Sequence, residues 1–291
     1  MKPQQEAFYT AVRSGELGSR WCLWTQPPAG APSALVVYAH PLAEEMNKSR
    51  RMVALQARAL AVQGFAVLQM DALGCGDSAG SMQDARWPDW VDDLVHAVAI
   101  ARLRFTQRWP SAPAPALWLW GLRSGALLAC EAAKHIDTPL NLLFWQPAIS
   151  GKTTWQQFLR LAKVSMALGK GGGTNAADTC GDTVAGADPD TTPPTLVAGY
   201  RLHPLFGAGL SAATLAPPAL ASRMVWLDIS PQVAPEPTPA TRLALDAWKT
   251  AGCTVEHRHV TGPAFWQTTE IEEAPALLQA TLNALNSGAA P

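Results

Sequence analysis

The chain has 291 residues, of which 48% are hydrophobic and 15% are charged. This length and this apolar content suit one large α/β domain, and they exclude an intrinsically disordered chain. The formal net charge of -1 provides no bulk field toward nucleic acid or an anionic membrane, so neither is expected as a partner.

Targeting and covalent features are sparse. The N-terminal stretch lacks the apolar core of a signal peptide, and no apolar run is long enough to cross a membrane, which predicts a cytoplasmic protein without an integral membrane segment. The five cysteines are scattered without C-x-x-C spacing, so neither a disulfide framework nor a zinc site is predicted. There is no Walker loop, no G-x-G-x-x-G opening a first β-α turn and no H-E-x-x-H. We therefore expect no cofactor and no metal.

The first half of the chain alternates strands and helices. A short strand at 21–24 is followed by a β-branched apolar run at 34–39, which is typical of a central strand covered on both faces. A helix is predicted over 49–62, closed by Gly64, and a strand over 65–70. The other predicted elements of this half are a helix at 90–105, a strand at 116–120, a helix at 127–134 and a strand at 140–145. This alternation predicts a doubly wound α/β fold with a mostly parallel sheet.

The second half departs from this rhythm between about 151 and 221. An amphipathic helix near 154–168 precedes a segment near 169–195 that is rich in Gly, Asp, Thr and Pro, and this segment is predicted to be a flexible loop. We predict that 151–221 is a cap or lid inserted into a core made of 1–150 and 222–291. The core resumes with a strand at 224–228, a helix at 240–251, a strand at 254–260 and a last helix from about 271 to 285.

The run LWLWGLRSGA at 117–126 leads from a buried strand through Gly121 and Gly125 into a helix. This is the context of a G-x-S-x-G nucleophile elbow, where the glycines allow the strand and the helix to approach closely. Its central residue is Arg123, and Ser124 stands one place late. A guanidinium stays protonated and cannot attack a carbonyl, so Arg123 is no nucleophile. Ser124 is the candidate for a displaced nucleophile, and a plain strand-to-helix turn is the alternative interpretation.

Two upstream motifs favour the elbow. His40, Pro41 and Leu42 follow the strand at 34–39, where the loop that stabilises an oxyanion is expected, and Ser124 contributes to the same pocket through its backbone N–H. The run DALGCGDS at 71–78 follows the next strand. His40 has two interpretations. It is either a general base toward water or a hydrogen-bonding residue that fixes the loop.

The chain resembles the exosortase A system-associated hydrolase 2 family of α/β hydrolases. The resemblance is carried by the runs AHPLAEEMNKSRRMVALQARALA, MDALGCGDSAG, WVDDL, LWLWGLRSGALLA and GPAFWQTTEIEEAPALL. It spans most of the chain, with the Gly-rich segment the least familiar part. The resemblance implies an α/β-hydrolase fold, a hydrolase activity on an ester or other acyl substrate, and a setting beside the exopolysaccharide and exosortase loci of Gram-negative bacteria.

The remaining members of a Ser-His-Asp triad are expected at the ends of the last two strands. Asp228 is the candidate acid, with Ser230 as the alternative at that position. The loop after the last strand reads TGPAFWQ and has no histidine. His257 and His259 lie within the strand. One interpretation is that both are ordinary strand residues without a catalytic role. If a displaced base exists, His259 is the better candidate. The triad is therefore degenerate by sequence.

Arg123 itself suggests a different use of the elbow. A guanidinium beside a helix N-terminus can hold a carboxylate or a phosphate through paired hydrogen bonds. The competing interpretation is a structural ion pair, in which Glu44 or Glu45 neutralises Arg123.

Three functions follow from these observations. The first is an ester or acyl hydrolase that uses a nonstandard nucleophile or directly activated water. The second is a catalytically inactive pseudo-hydrolase that binds an anionic small molecule or a lipid-linked sugar at Arg123. The third is a scaffold protein, in which Trp87, Trp90 and Trp155 form a contact surface. The expected partner is a small anionic or acyl ligand, and a homodimer is left open.

Overall fold

The computed structural model describes residues 2–12, 18–167, 194–197, 199–233 and 235–287, with the backbone alone at 164–167. The predicted flexible loop near 169–195 falls almost wholly outside these ranges. In chain order the elements are β1 (Gln4–Ala11), β2 (Ser19–Gln26), β3 (Ala34–Ala39), α1 (Glu44–Val62), β4 (Phe65–Met70), α2 (Trp87–Arg108), β5 (Ala116–Leu122), α3 (Ser124–Ala133), β6 (Leu140–Trp145), α4 (Gly151–Ala167), β7 (Thr195–Val197), β8 (Tyr200–Leu202), α5 (Pro204–Ala212), β9 (Ala221–Ser230), α6 (Pro239–Thr250), β10 (Thr254–Thr261) and α7 (Pro275–Asn286).

The central sheet has eight strands in the order β1-β2-β4-β3-β5-β6-β9-β10. The pairs from β4 to β10 are parallel, whereas β1 and β2 join one edge in antiparallel fashion. One face of the sheet packs against α1 and α7, and the other packs against α2, α3 and α6. Strand β3 is buried along its whole length because both faces are covered. The predicted mostly parallel, doubly wound fold is confirmed.

Buried central strands were predicted most accurately. Strands β3, β4 and β6 have the predicted bounds. Helix α1 begins at Glu44 instead of 49, with two acidic residues in the first turn that favour a helix N-terminus. Helix α7 begins at Pro275 instead of near 271, because proline suits the first helical turn. The apolar pattern did not predict β1, since this edge strand is mostly exposed.

The segment between β6 and β9 holds α4, the short β7–β8 hairpin and α5. Helix α5, which the sequence pattern did not predict, packs against α2, and the ring of Phe206 lies 4.7 Å from the Trp90 ring and 5.7 Å from the Trp87 ring. A β-carbon at Gly209 would collide with Trp87. Small residues on α5 therefore allow it to lie directly on the core.

This packing corrects the idea of a tryptophan contact surface. Trp87 and Trp90 are only 6% and 1% exposed, so they belong to the core. Trp155 is partly buried, and its ring stands where a β-carbon on Gly207 would be. The three tryptophans hold α2, α4 and α5 together and do not form one exposed apolar patch.

Two kinds of feature are missing from the described ranges. Their helices include none that combines the length and the hydropathy of a membrane span. The same residues include no group of three or more His, Cys, Asp and Glu side chains arranged to hold a metal ion.

Candidate functional site

The turn between β5 and α3 has the backbone geometry of a strained elbow. Its central residue, Arg123, has φ 54° and ψ −120°, a conformation that costs energy for any residue other than glycine. A β-carbon at Gly121 would lie 2.5 Å from Cα of Ala126, and one at Gly125 would collide with the carbonyl oxygen of Ala39. The two glycines are therefore required for the close approach of β5, α3 and β3.

The end of β6 holds this turn in place. The backbone N–H of Arg123 donates to the carbonyl oxygen of Trp145 at 3.1 Å, and the carbonyl oxygen of Arg123 accepts from Ala148 at 3.1 Å. Between them Gln146 also has a positive φ of 42°, and its side-chain oxygen accepts from the backbone N–H of Ile229 at 2.6 Å. The strained conformation persists because the end of β6 bonds both the N–H and the carbonyl oxygen of Arg123.

The side chain of Arg123 forms an ion pair across the elbow. Its Nε donates to Oε1 of Glu45 at 3.2 Å, and its Nη1 lies 3.5 Å from the carbonyl oxygen of Gln146. The side chains of Arg123 and Glu45 are 21% and 14% exposed, so the pair is largely removed from solvent. Of the two predicted acidic partners, Glu45 pairs with Arg123, whereas Glu44 accepts from the hydroxyl of Tyr200. The ion pair that competed with the anion-site interpretation is thus present.

The pair leaves hydrogen-bonding capacity unused. Within the described part of the chain, Oε2 of Glu45 and Nε1 of Trp266 are buried without a hydrogen-bond partner, and Nη2 of Arg123 has none. The guanidinium carbon lies 5.6 Å from the centre of the Trp266 ring, a cation–π distance. Burial raises the pKa of Glu45, and the charge and hydrogen bond of Arg123 lower it. Arg123 therefore favours the carboxylate that its neighbourhood otherwise disfavours.

Ser124 is occupied by the loop that was predicted to form the oxyanion pocket. The residue is 3% exposed, and its Oγ accepts from the backbone N–H of Leu42 at 3.0 Å. Leu42 is one of the residues predicted to line an oxyanion pocket. The Ser124 hydroxyl therefore occupies a backbone donor that was predicted to be available to an oxyanion.

His40 holds the loop at 40–42 in place through both of its ring nitrogens. Its Nδ1 lies 2.9 Å from the carbonyl oxygen of Pro41, and its Nε2 lies 3.3 Å from the backbone N–H of Ala72. These partners require a neutral ring with the proton on Nδ1. Burial lowers the pKa of His40, and its ring packs edge-on against Trp90 at 4.7 Å. Both ring nitrogens are engaged, so the geometry favours the loop-fixing interpretation over a general base.

The ends of β9 and β10 carry two separate polar pairs. Oδ2 of Asp228 lies 2.8 Å from Nε2 of His257, and its Oδ1 accepts from the indole N–H of Trp226 at 2.7 Å. Oγ of Ser230 lies 2.9 Å from Nε2 of His259. Residues two apart on a strand share a face, and the parallel register brings the two strands' pairs together.

The predicted triad residues do not form one hydrogen-bonded set. Ser124 is bonded to Leu42, Asp228 to His257, and His259 to Ser230. The loop after β10 instead contributes Trp266, which packs beside Arg123 and which the sequence reasoning did not single out. The run TGPAFWQ was the available signal, because it has aromatic residues where a base was expected.

Comparison with known proteins identifies the family. The chain matches the Hydrolase_4 family, described as serine aminopeptidase, S33, over residues 30–215. No curated protein matches the chain. Solved structures similar to it include an α/β serine hydrolase without a lid from Xanthomonas campestris, at 18% identity, covering 99% of this chain and 97% of that one with a TM-score of 0.53.

Two other solved structures have the same fold. An α/β serine hydrolase homologue from Coxiella burnetii is 15% identical, with coverage of 98% of this chain and 97% of that one and a TM-score of 0.52. A carboxyl esterase from Bacillus coagulans is 13% identical, with coverage of 97% and 98% and a TM-score of 0.56. At these identities the likeness establishes the fold alone. The chain has the α/β-hydrolase fold and, by its family match over more than half its length, belongs to the Hydrolase_4 family.

Proposed function

We propose that this protein uses the hydrolase elbow to hold a small carboxylate or other acyl-derived anion at Arg123, without forming an acyl-enzyme. In this proposal it is a pseudo-hydrolase of an exosortase-linked exopolysaccharide system and works in the cytoplasm. The observation that carries the proposal is the guanidinium of Arg123 at the centre of the strained turn, with Nη2 left unbonded by the described residues.

The chemistry at the elbow argues against acyl transfer. That reaction needs a nucleophile, a base within hydrogen-bond reach and donors aimed at the oxyanion. Arg123 cannot attack, Ser124 accepts from the Leu42 N–H, and the loop after β10 presents Trp266 instead of a histidine. Each function of the mechanism meets its own obstacle, so one local rearrangement would not restore it.

The same geometry supports anion binding. A planar guanidinium can donate two parallel hydrogen bonds to a carboxylate through two of its nitrogens. In Arg123, Nη2 is unbonded among the described residues, and Nη1 makes only a long contact of 3.5 Å with the carbonyl oxygen of Gln146. It stands directly before α3, a helix whose N-terminus favours negative charge. A carboxylate is also the group that ester hydrolysis would leave at this position in an active relative. An acidic or acylated saccharide, or a lipid-linked sugar, is the ligand class that agrees with the resemblance to exosortase-associated proteins.

The segment 151–221 is proposed to cap this site. The hydroxyl of Tyr200 on β8 donates to Glu44 at 3.1 Å and accepts from Asn47 at 2.7 Å. Both partners lie in the first turns of α1, next to Glu45. These bonds hold the β7–β8 hairpin against the helix that supplies the partner of Arg123.

Titration with sodium butyrate, followed by calorimetry and by tryptophan fluorescence, tests the proposal. Arg123→Met should weaken butyrate binding at least tenfold, because the variant keeps the length of the side chain and loses its donors. Arg242→Met is the matched control, since Arg242 is an exposed residue of α6. Equal binding by the wild type and both variants would contradict an Arg123 site.

A second candidate function is ester hydrolysis, which the family match supports and one contact favours. Oγ of Ser230 accepts from the backbone N–H of Gln232 at 3.3 Å and lies 2.9 Å from Nε2 of His259, to which it donates when His259 carries its proton on Nδ1. This is the donor–acceptor arrangement of a Ser-His pair. Hydrolysis of short and long p-nitrophenyl esters that is abolished in Ser230→Ala and His259→Ala, but kept in His257→Ala, would establish it. Absence of turnover in the wild type would exclude it for these esters.

A further inference from the structure

We infer that Glu45 is an internal competitor for Arg123, so that a ligand carboxylate enters the elbow by displacing the Glu45 carboxylate, and that one proton is taken up as it binds. The inference rests on the proposed anion site. It adds to that site a residue that sets affinity, together with a dependence of binding on pH.

The contact between the two side chains is of a kind that a ligand can replace. Glu45 reaches Arg123 through one oxygen and one nitrogen, Oε1 and Nε at 3.2 Å, instead of through two parallel bonds. A bidentate carboxylate on Arg123 would make the better-matched pair. Glu45 therefore makes fewer hydrogen bonds with the guanidinium than an incoming bidentate carboxylate would.

Two carboxylates cannot share this guanidinium without a change of charge. The side chains of Arg123 and Glu45 are mostly buried, and like charges brought together in such surroundings strongly favour protonation of one of them. Oε2 of Glu45 is buried without a partner among the residues described, so the carboxyl group has an oxygen ready to carry the proton. A protonated Glu45 could then donate a hydrogen bond to the bound ligand.

The charges around Glu45 direct the proton to this residue. Arg123, from the elbow, is the cation whose field acts on Glu45, and burial alone would raise the pKa of the carboxyl group. From β3, Tyr38 is the titratable neighbour; its pKa is raised mainly by burial and partly by Glu45. Glu44, on the same helix, is hydrogen-bonded to Tyr200, and Arg50 is paired with Asp71. Once a ligand neutralises Arg123, no described cation remains to hold Glu45 in its charged form.

The exchange balances without any covalent step. The free protein holds a Glu45 carboxylate on the Arg123 guanidinium. The complex holds the ligand carboxylate on the guanidinium and a neutral Glu45 carboxyl group, and the additional proton comes from solvent. Affinity for the ligand must therefore fall as the pH rises, approaching tenfold for each pH unit where a whole proton is taken up.

Calorimetry with sodium butyrate between about pH 5.5 and about pH 7.5 tests the exchange, with each pH measured in two buffers of different ionisation enthalpy. The wild-type protein should take up a proton on binding and bind more tightly at the lower pH. Glu45→Gln should bind at least tenfold more tightly than the wild type at the higher pH, without proton uptake. Glu236→Gln is the matched control, since Glu236 is an exposed residue before α6, and it should keep the wild-type pH dependence.

The outcomes separate this inference from the proposed function. Butyrate binding that requires Arg123 but involves no proton uptake, with Glu45→Gln no tighter, would overturn the exchange and leave the anion site standing. No binding by the wild type or by Glu45→Gln at any pH would overturn both. Proton uptake is measured on the wild-type protein, so the test does not depend on how well a variant folds.

Discussion

A serine hydrolase combines a strained elbow backbone and a set of catalytic side chains at one site. In this protein the elbow and the ends of β9 and β10 each have one of these two parts. The elbow keeps the backbone: a positive φ at Arg123, and glycines that no larger residue could replace. The strand ends keep suitable side chains, with a Ser230–His259 pair and an Asp228–His257 pair. Neither region combines the elbow backbone with a serine and a histidine that are hydrogen-bonded to each other. The strained position carries no nucleophile, and the serine bonded to a histidine lies at the end of a strand.

The difference shows which part of an active site is harder to change. The elbow backbone is tied into β3, β5, β6 and α3, so altering it disturbs the core. The side chain at its centre projects away from that packing and can be replaced if its new charge finds a partner. In this protein the partner of the Arg123 charge is Glu45. A hydrolase fold can thus keep its elbow backbone with a residue other than serine at the centre.

Gly125→Ala should have the largest effect, because it disturbs the backbone of the elbow. The added β-carbon would collide with the Ala39 carbonyl oxygen and lie 2.8 Å from the Ala39 carbonyl carbon, so backbone has to move. We expect a loss of about 3 kcal/mol or more in the free energy of unfolding, measured by urea denaturation. Gly30→Ala is the control: its φ is 76° in open space, and it should lose only about 1–2 kcal/mol. Equal losses would contradict a steric requirement at Gly125.

Arg123→Met should have the next largest effect, and it should depend on pH. Without the guanidinium, burial alone acts on Glu45 and raises its pKa in the folded state above the value in the unfolded chain. The folded state then prefers the protonated form, so stability is kept below about pH 4.5 and lost as the pH rises through the raised pKa. We expect a loss of about 2–3 kcal/mol near pH 8, below the usual cost of breaking a fully buried pair because Arg123 is partly exposed.

The double variant Arg123→Met with Glu45→Gln isolates this cause. It removes Glu45 as a titrating group, so the additional loss of stability that Arg123→Met shows relative to the wild type between about pH 4.5 and about pH 8 should disappear. Chemical denaturation across this range gives the comparison. A single variant as stable as the wild type at the higher pH would contradict a buried, Arg123-dependent Glu45.

His40 should contribute a smaller effect with the opposite sign. Burial lowers the pKa of His40 from 6.5, so the unfolded chain binds its proton more readily than the folded one. Stability is therefore present above about pH 6.5 and is lost as the pH falls, by at most about 1.4 kcal/mol for each pH unit. His40→Gln should reduce this acid sensitivity, whereas His135→Gln, at an exposed position, should retain it. An unchanged slope in His40→Gln would contradict the role of this ring in the loop.

Arg123→Ser should change esterase activity least of all. It restores a serine at the strained position, but the loop after β10 has Trp266 and no histidine, and Ser124 still occupies the Leu42 N–H. We expect no hydrolysis of p-nitrophenyl acetate or butyrate above the wild-type rate. Turnover gained by this one substitution would reveal a base near the elbow. It would contradict the claim that the elbow backbone and the Ser-His side chains lie in different regions.

The sequence predicted what local patterns determine. Strand β3 is a β-branched apolar run, and the elbow is marked by two glycines four residues apart. The partners of the elbow depend instead on distant segments. Glu45 and Arg123 are 78 positions apart, and Leu42 and Ser124 are 82 apart. Sequence left Glu44 and Glu45 as equal candidates because only the start of α1 decides which faces the elbow. Helix α5 was missed because its glycines weaken the helical pattern, and its packing on Trp87 compensates for that weakness.

Reaction of the wild-type protein with a fluorophosphonate probe, followed by peptide mass spectrometry, tests the central claim most directly. The claim is that this elbow holds a ligand and does not attack one. We expect no labelling of Ser124, because its hydroxyl accepts from the Leu42 N–H and has no histidine bonded to it among the described residues. Labelling of Ser124, together with ester turnover that Ser124→Ala abolishes, would contradict the account and identify a displaced-nucleophile hydrolase.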